Sequence, residues 1–289
     1  MDQKMYVNRA TLLISCPEKP GIISVVSNFL LEHQANIVQF DQHTTDPRSG
    51  LFFMRIAFDL EDFDRSFQQI QQDLPMLARD HAMDWTLNSE KKIKRMAIFV
   101  SKTDHCLMEL LWRWKSKEIP VEIPIVISNH LDLKEAVEAY GIPYYHIPLS
   151  SETKEEAEQK ILEILRDKVD FIVLARYMQI LSPHFISKYP NQIINIHHSF
   201  LPAFVGANPY VRAFQRGVKL IGATAHYVTN DLDEGPIIQQ DVLRVNHRFS
   251  AEDLKIAGRQ VERTVLAQAV SWHVEDKVLV HGNKTIVFT

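Results

Sequence analysis

Asn195, His197 and Asp233 give this chain an amide, an imidazole and a carboxylate, three side chains of different chemistry. The first two stand in Asn195-Ile196-His197-His198-Ser199-Phe200-Leu201-Pro202, and the third lies in Asp233-Glu234-Gly235-Pro236. Between them runs Gly222-Ala223-Thr224-Ala225-His226. Each string adjoins an apolar run that reads as a strand. An amide N–H donates to a developing oxyanion with no charge to neutralise first. An imidazole donates or accepts near neutral pH, and a carboxylate moves protons. The set suits acyl chemistry on a small group. Taken singly, each residue has an ordinary explanation. Asn-x-His is common in turns and caps, Asp231, Asp233 and Glu234 resemble any solvated acidic turn, and His226 reads as a hydrogen-bonded strand histidine. A metal set built from His197, His198, His226 and Asp233 meets a geometric objection, because adjacent residues of an extended chain point to opposite faces. No metal ligands are expected.

The elements that must hold these residues alternate in type. Met96 to Val100 is a continuous apolar strand, and His105 to Trp114 is helical with Leu107, Leu110 and Leu111 on one side. Val121 to Ser128, Tyr144 to Ile147 and Phe171 to Ala175 read as further strands. Asp132 to Tyr140 and Thr153 to Lys168 read as the helices between them. Asn191 to Asn195 is one more strand, and its carboxyl end delivers Asn195 and His197. Gly217 to Val228 and Pro236 to Val245 form a late strand pair, and Ala251 to Val274 a long closing helix. This alternation predicts an α/β domain over residues 96–289 with a doubly wound, mostly parallel sheet, which binds ligands beyond the carboxyl ends of its strands. Its first βα turn, Ser101-Lys102-Thr103-Asp104-His105, holds no glycine, and none occurs between Gly50 and Gly141. A dinucleotide site needs glycines there so that the backbone can approach a pyrophosphate, so NAD or FAD is not expected.

Ahead of this lies a smaller unit, residues 5–88. Ala10 to Ser15 reads as a buried strand, Ile22 to Glu32 as a helix, Asn36 to His43 and Leu51 to Leu60 as a hairpin, Asp64 to Ala78 as a second helix and Ala82 to Leu87 as a last strand. The order βαββαβ predicts a ferredoxin-like domain. Residues 89–95 are polar and basic and read as a linker. At 289 residues and a formal charge of -4 the chain shows no nucleic-acid footprint. Cys16 and Cys106 are too far apart in sequence to suggest a zinc knuckle or a disulfide framework, and Cys106 beside His105 reads as a buried bystander. No leader and no membrane-length apolar run is visible, so the expectation is a cytoplasmic protein.

Two resemblances sharpen these readings. Cys16-Pro17-Glu18-Lys19-Pro20-Gly21-Ile22-Ile23 resembles the D-R-P-G-I turn of ACT domains, small regulatory modules that commonly bind amino acids where two of them pair. The resemblance implies an amino-acid effector near Pro20, Gly21, Ile22 and Ile23, and a homo-oligomer. The alternative is a plain βα turn without a ligand.

The strings around Asn195 and Asp233, with Gly206-Ala-Asn-Pro-Tyr210 and Gly222-Ala-Thr224-Ala-His226-Tyr-Val, resemble the folate-dependent formyltransferase/hydrolase family over residues 96 to about 275. That family shares N-x-H, S-x-L-P and H-x-V-x-x-x-x-D-x-G. The resemblance implies Asn195, His197 and Asp233 as the catalytic three. It implies a pterin pocket built from Met178, Ile180 and Leu181 in Ala175-Arg-Tyr-Met178-Gln-Ile180-Leu181, with Asp231 and its neighbours, and Thr224 and His226 supporting the site. Members that transfer formyl to a ribonucleotide hold its phosphate on a glycine-rich first turn. Here that turn lacks glycine and carries Asp104, which would repel a phosphate. An ACT-like module ahead of such a domain, with His-His-Ser-Phe-Leu-Pro, resembles the hydrolysing members of the family, and that resemblance implies hydrolysis of 10-formyltetrahydrofolate to formate and tetrahydrofolate, with folate as substrate and no separate cofactor. Formyl transfer to an amine is the alternative, and a folate-binding sensor without turnover is a more distant one.

Overall fold

The computed structural model describes residues 8–150, 152–202 and 209–289, so Gly206 to Asn208 of the string quoted above lie outside the described residues. The chain divides into two compact units, one of Met1–Ile93, Asp276–His281 and Ile286–Thr289, the other of Lys94–Glu275 and Gly282–Thr285.

In the first unit β1 (Arg9–Pro17), α1 (Ile22–Glu32), β2 (Ala35–Thr44), β3 (Leu51–Leu60), α2 (Phe63–Asp80) and β4 (Asp84–Ser89) follow the expected βαββαβ order. The strands form an antiparallel sheet ordered β2-β3-β1-β4. Ala10, Leu12, Ile14 and Cys16 alternate onto one face and pack with Val26, Leu30, Ile70 and Leu74 of the two helices. Leu13 points the other way and meets Phe53, Leu279 and Phe288. Both faces of β1 are thus covered, which explains its unbroken apolar run.

This packing corrects the expected domain limits. The span 96–289 does not stay together, because the end of the chain buries Leu279 and Phe288 in the first unit. The linker of residues 89–95 shrinks to residues 90–93, since the next strand already begins at Lys94. In the βα turn, Pro20 and Gly21 are exposed and Ile23 is 40% exposed, but Ile22 is buried in the helix-covered core.

The second unit carries β5 (Lys94–Val100), α3 (His105–Lys115), β6 (Val121–Ser128), α4 (Lys134–Glu138), β7 (Tyr144–His146), α5 (Lys154–Leu165), β8 (Phe171–Leu174), α6 (Pro183–Ile186), β9 (Ile193–His197), α7 (Pro209–Arg216), β10 (Leu220–Tyr227), β11 (Ile237–Arg244) and α8 (Ala251–Val274). Its sheet has the order β11-β10-β9-β8-β5-β6-β7. The strands from β9 to β7 run parallel, while β10 pairs antiparallel with both β9 and β11. After β5 the chain builds outward through β6 and β7, then returns to build β8 and β9 on the other side. The β5/β8 boundary is the topological switch point, where such sheets open a crevice. A Ser250–Asp253 capping box starts α8. A last hairpin, β12 (Val278–His281) with β13 (Lys284–Val287), was not anticipated from the sequence. Among the described residues no helix is long and apolar enough to cross a membrane.

Candidate active site

Strand geometry brings the candidate residues together. Asn195 and His197, two apart in β9, share one face of the sheet. In the antiparallel ladder β10 sets Thr224 opposite His197 and His226 opposite Asn195, so these four side chains lie on the same face. Asp233 arrives from the β10–β11 loop with φ +57°, a left-handed conformation that a short polar side chain tolerates. Gly235 closes that loop against β10, and a Cβ there would lie 1.8 Å from the Tyr227 carbonyl oxygen. A larger residue there would force the loop away from Tyr227.

The hydrogen bonds assign protons. A carbonyl only accepts, so His226 Nδ1 donates to the Tyr227 oxygen at 2.9 Å. Burial pushes the His226 pKa down, which keeps the ring neutral and leaves Nε2 as an acceptor. The Asn195 amide nitrogen donates to that Nε2 at 3.2 Å. One amide proton holds Asn195 in place, and the other remains for a ligand. His197 Nδ1 faces Asp233 Oδ2 at 3.2 Å. His197 Nε2 is buried and has no hydrogen-bond partner. The bond to His197 holds the Asp233 carboxyl below the usual range against the opposing effect of burial, so the group stays ionised. Its Oδ1 is 3.7 Å from His226 Nε2. The cluster therefore offers an amide donor, an imidazole nitrogen and a carboxylate oxygen, the set required for attack on a carbonyl.

The remaining predicted residues divide. Met178 and Ile180, in the loop after β8, are 61% and 62% exposed. Leu181 is instead buried and packs with Ile161, Tyr177 and Phe185. Thr224 bonds within the protein. Its hydroxyl donates to the Ser199 oxygen at 2.9 Å and accepts from the Leu201 nitrogen at 3.0 Å and Gln240 Nε2 at 2.9 Å, so it braces the loop after β9 and has no capacity left for substrate. His226 holds Asn195 rather than facing outward. Asp231 is exposed, and its carbonyl accepts from Thr229 Oγ1 at 3.1 Å and the Glu234 nitrogen at 3.3 Å. Exposed Phe200 and Leu232, neighbours of the site in sequence, were not anticipated as candidates.

A second polar cluster was also missed. His105 Nε2 donates to Glu262 Oε2 at 2.8 Å, the Tyr210 hydroxyl to Glu262 Oε1 at 2.6 Å, and Arg176 Nε lies 3.4 Å from Oε2. These residues come from four separate segments, so no spacing could announce them. Cys106 is buried beside them, and burial pushes its thiol far up, as befits a bystander. His105, Cys106 and Glu262 bring donor atoms within 4.8 Å of one another, but the carboxylate is already committed to three partners, one of them a guanidinium. Among the described residues, His197, His198, His226 and Asp233 do not form a ligand set of that kind.

Comparison with known proteins agrees with this architecture. The formyl transferase family model matches residues 94–270, and the ACT domain model matches residues 10–74. The formyltetrahydrofolate deformylase of Bacillus subtilis is 56% identical over 282 residues, 97% of this chain and 94% of that protein. Its counterpart in Escherichia coli K12 is 42% identical, over 97% and 99% of the two chains. The crystal structure of a formyltetrahydrofolate deformylase from Pseudomonas syringae superposes with a TM-score of 0.94 at 46% identity, covering 99% of this chain and 96% of that one. A glycinamide ribonucleotide transformylase from Symbiobacterium toebii matches 68% of this chain and 95% of its own, with a TM-score of 0.65 at 28% identity.

Proposed function

Since this chain belongs to the formyltetrahydrofolate deformylases, hydrolases that join an ACT domain to a formyl transferase domain, we propose that Asn195, His197 and Asp233 cleave the formyl group of 10-formyltetrahydrofolate with water as acceptor. The observation that carries this reading is His197 itself. One ring nitrogen is anchored on Asp233, and the other is buried with nothing to bond. A buried polar atom without a partner costs about 1–3 kcal/mol unless a ligand satisfies it.

In the proposed step the formyl oxygen lies between the free Asn195 N–H and His197 Nε2. Protonated His197 donates to it, and the ionised Asp233 stabilises that imidazolium. Water attacks the formyl carbon, a carbon–oxygen bond forms, and the carbonyl electron pair moves onto oxygen. Asp233 takes the proton that water loses. Collapse of the oxyanion restores the carbonyl and breaks the bond to the folate nitrogen, which receives the proton. Formate and tetrahydrofolate leave. Met178 and Ile180, with the backbone of residues 231–233, supply the apolar seat for the pterin in this reading.

Asn195→Ala tests the assignment. Losing one oxyanion donor lowers kcat on the order of 10²–10³, and near-normal formate release would sink the proposal. Incubation of 10-formyltetrahydrofolate with enzyme and no amine separates hydrolysis from transfer, since hydrolysis gives one formate per folate. We extend the reading to the first unit. The turn of Pro20 and Gly21 at the start of α1 is exposed, and the backbone N–H groups of Gly21, Ile22 and Ile23 beside Pro20 would receive the carboxylate of an amino-acid effector. Formate production measured across a panel of free amino acids tests this, and no response to any of them would count against it.

A further inference from the structure

A line of side chains leads away from His197 within the second unit. His198 packs against His197 with ring centroids 5.3 Å apart, and against Tyr210 at 6.0 Å. Tyr210 donates to Glu262, and Glu262 accepts from His105, which opens α3 directly after β5. The Glu262 side chain is 1% exposed. Burial alone would raise its pKa, but the His105 hydrogen bond, the Arg176 charge and the Tyr210 hydroxyl outweigh burial and keep it below the ordinary value. An ionised carboxylate is thus held inside the protein.

Its position gives it a purpose. The start of the helix after the first strand, at the switch point, is where an open α/β sheet ordinarily receives an anionic ligand. Here the anion is the protein's own, supplied by α8. Gly258, one turn before Glu262, admits the tyrosine, because a Cβ there would sit 2.0 Å from the Tyr210 hydroxyl oxygen. Glycine inside a helix is destabilising. Its presence where the phenol crosses α8 marks Tyr210 as a fitted part of the site rather than incidental filling.

We propose that Tyr210, Glu262 and His105 are a built-in occupant of the acceptor side of the active site, and that they restrict the formyl acceptor to water. The inference rests on the reading that Asn195 and His197 hold the formyl group. Water reaches the carbon past this occupant, whereas a substituted amine needs the space of the phenol and the carboxylate. With the occupant removed, an amine nitrogen can attack. Its lone pair forms the new carbon–nitrogen bond, the bond from the formyl carbon to the folate nitrogen breaks, and the proton lost by the amine ends on that nitrogen. A formylated amine then replaces formate, with no further reactant.

The test is the partition between formate and N-formyl product when 10-formyltetrahydrofolate is turned over with hydroxylamine or glycinamide, corrected for the enzyme-free reaction. In the unaltered enzyme, capture falls steeply from hydroxylamine to glycinamide. In Tyr210→Ala and in His105→Ala/Tyr210→Ala, the ratio of N-formylglycinamide to formate rises on the order of tenfold or more, the scale on which a filled pocket discriminates. Tyr210→Phe keeps the ring and leaves the ratio unchanged. A Tyr210→Ala enzyme that hydrolyses with an unaltered ratio overturns the occupant but not the hydrolase. An unaltered enzyme that releases no formate overturns the reading beneath it. Should the variants not fold, equal capture of hydroxylamine and glycinamide by the unaltered enzyme overturns the occupant.

Discussion

Asn195 and His226 face each other across the β9–β10 ladder, and the amide of the first donates to Nε2 of the second at 3.2 Å. The imidazole is itself fixed by its bond to the Tyr227 carbonyl. An oxyanion donor is useful only when it is aimed before the charge develops. His226 therefore acts through Asn195. We expect His226→Phe to lower kcat about tenfold, roughly 1.4 kcal/mol of barrier, with little change in KM. His226→Gln, whose carbonyl can still accept from Asn195, recovers most of the loss. A fall in kcat that His226→Gln does not repair would argue for a direct chemical role instead.

The Asp233 carboxyl lies below its ordinary range chiefly because His197 bonds to it. The ionised form is the working form, so activity is lost as pH falls through this lowered value, and the acid limb of kcat/KM lies below the normal aspartate pKa of about 3.9. His197→Phe removes the bond and moves the Asp233 pKa upward, so the acid limb of the residual activity shifts to higher pH. Asp233→Asn keeps the shape and removes the charge, and should cost on the order of 10²–10⁴ in kcat. Rate profiles over acidic and neutral pH check both outcomes.

Thr224 ties the loop after β9 to β10 through Ser199, Leu201 and Gln240. Thr224→Val preserves shape but leaves the Leu201 N–H and the Ser199 carbonyl without this partner in a buried place. Such a loss costs about 1–3 kcal/mol and loosens the segment that follows His197. Calorimetry should show a lower Tm for the unit that holds the site, accompanied by a lower kcat. A variant with unchanged Tm would mean that the loop is held by other contacts.

His273 packs against Phe171 and Tyr227, and burial, followed by the Lys94 charge, lowers its pKa from 6.5 to about 3. His198 is lowered to about 3 as well, first by burial and then by Arg176. Both rings protonate more readily in the unfolded chain than in the folded one. The unfolded state takes up the extra protons between about pH 6.5 and about pH 3, so stability falls as pH drops through that window. The Tm should decline between pH 7.5 and pH 5. His273→Gln, which keeps a polar partner for Tyr227 and cannot take the proton, should flatten the decline.

Much of this was legible in the chain, and the misses have physical causes. Alternation along β9 put Asn195 and His197 on one face, and helical spacing located α8 to the residue. Thr224 and His226 were expected to support the site, and cross-strand register shows what they bond to: the loop after β9 and Asn195. Leu181 entered the pocket set through the family resemblance rather than through periodicity, which cannot tell an apolar core residue after a strand from a pocket-lining one. Sequence order assigned Val278 to Phe288 to the second domain because nothing local reveals that Leu279 and Phe288 pack on Leu13 and Phe53. The Glu262 cluster was invisible for a related reason: His105 and Glu262 are 157 positions apart and meet only when α3 and α8 are both in place.

Gly258 supplies the sharpest test of how that cluster is built. In most helix interiors Gly→Ala gains about 1 kcal/mol. Here the new Cβ would lie 2.0 Å from the Tyr210 hydroxyl oxygen and 2.3 Å from the ring carbon that bears it. Overpacking of this kind costs about 1–3 kcal/mol, so the net effect of Gly258→Ala should be a loss, seen as a lower Tm. The sign should reverse once the obstacle is gone: in a Tyr210→Ala background the same change should raise the Tm. The double-mutant cycle isolates the contact from propensity, because the helix-forming gain is common to both backgrounds. If Gly258→Ala raises the Tm by the same amount in both, Tyr210 does not lie across the helix as described.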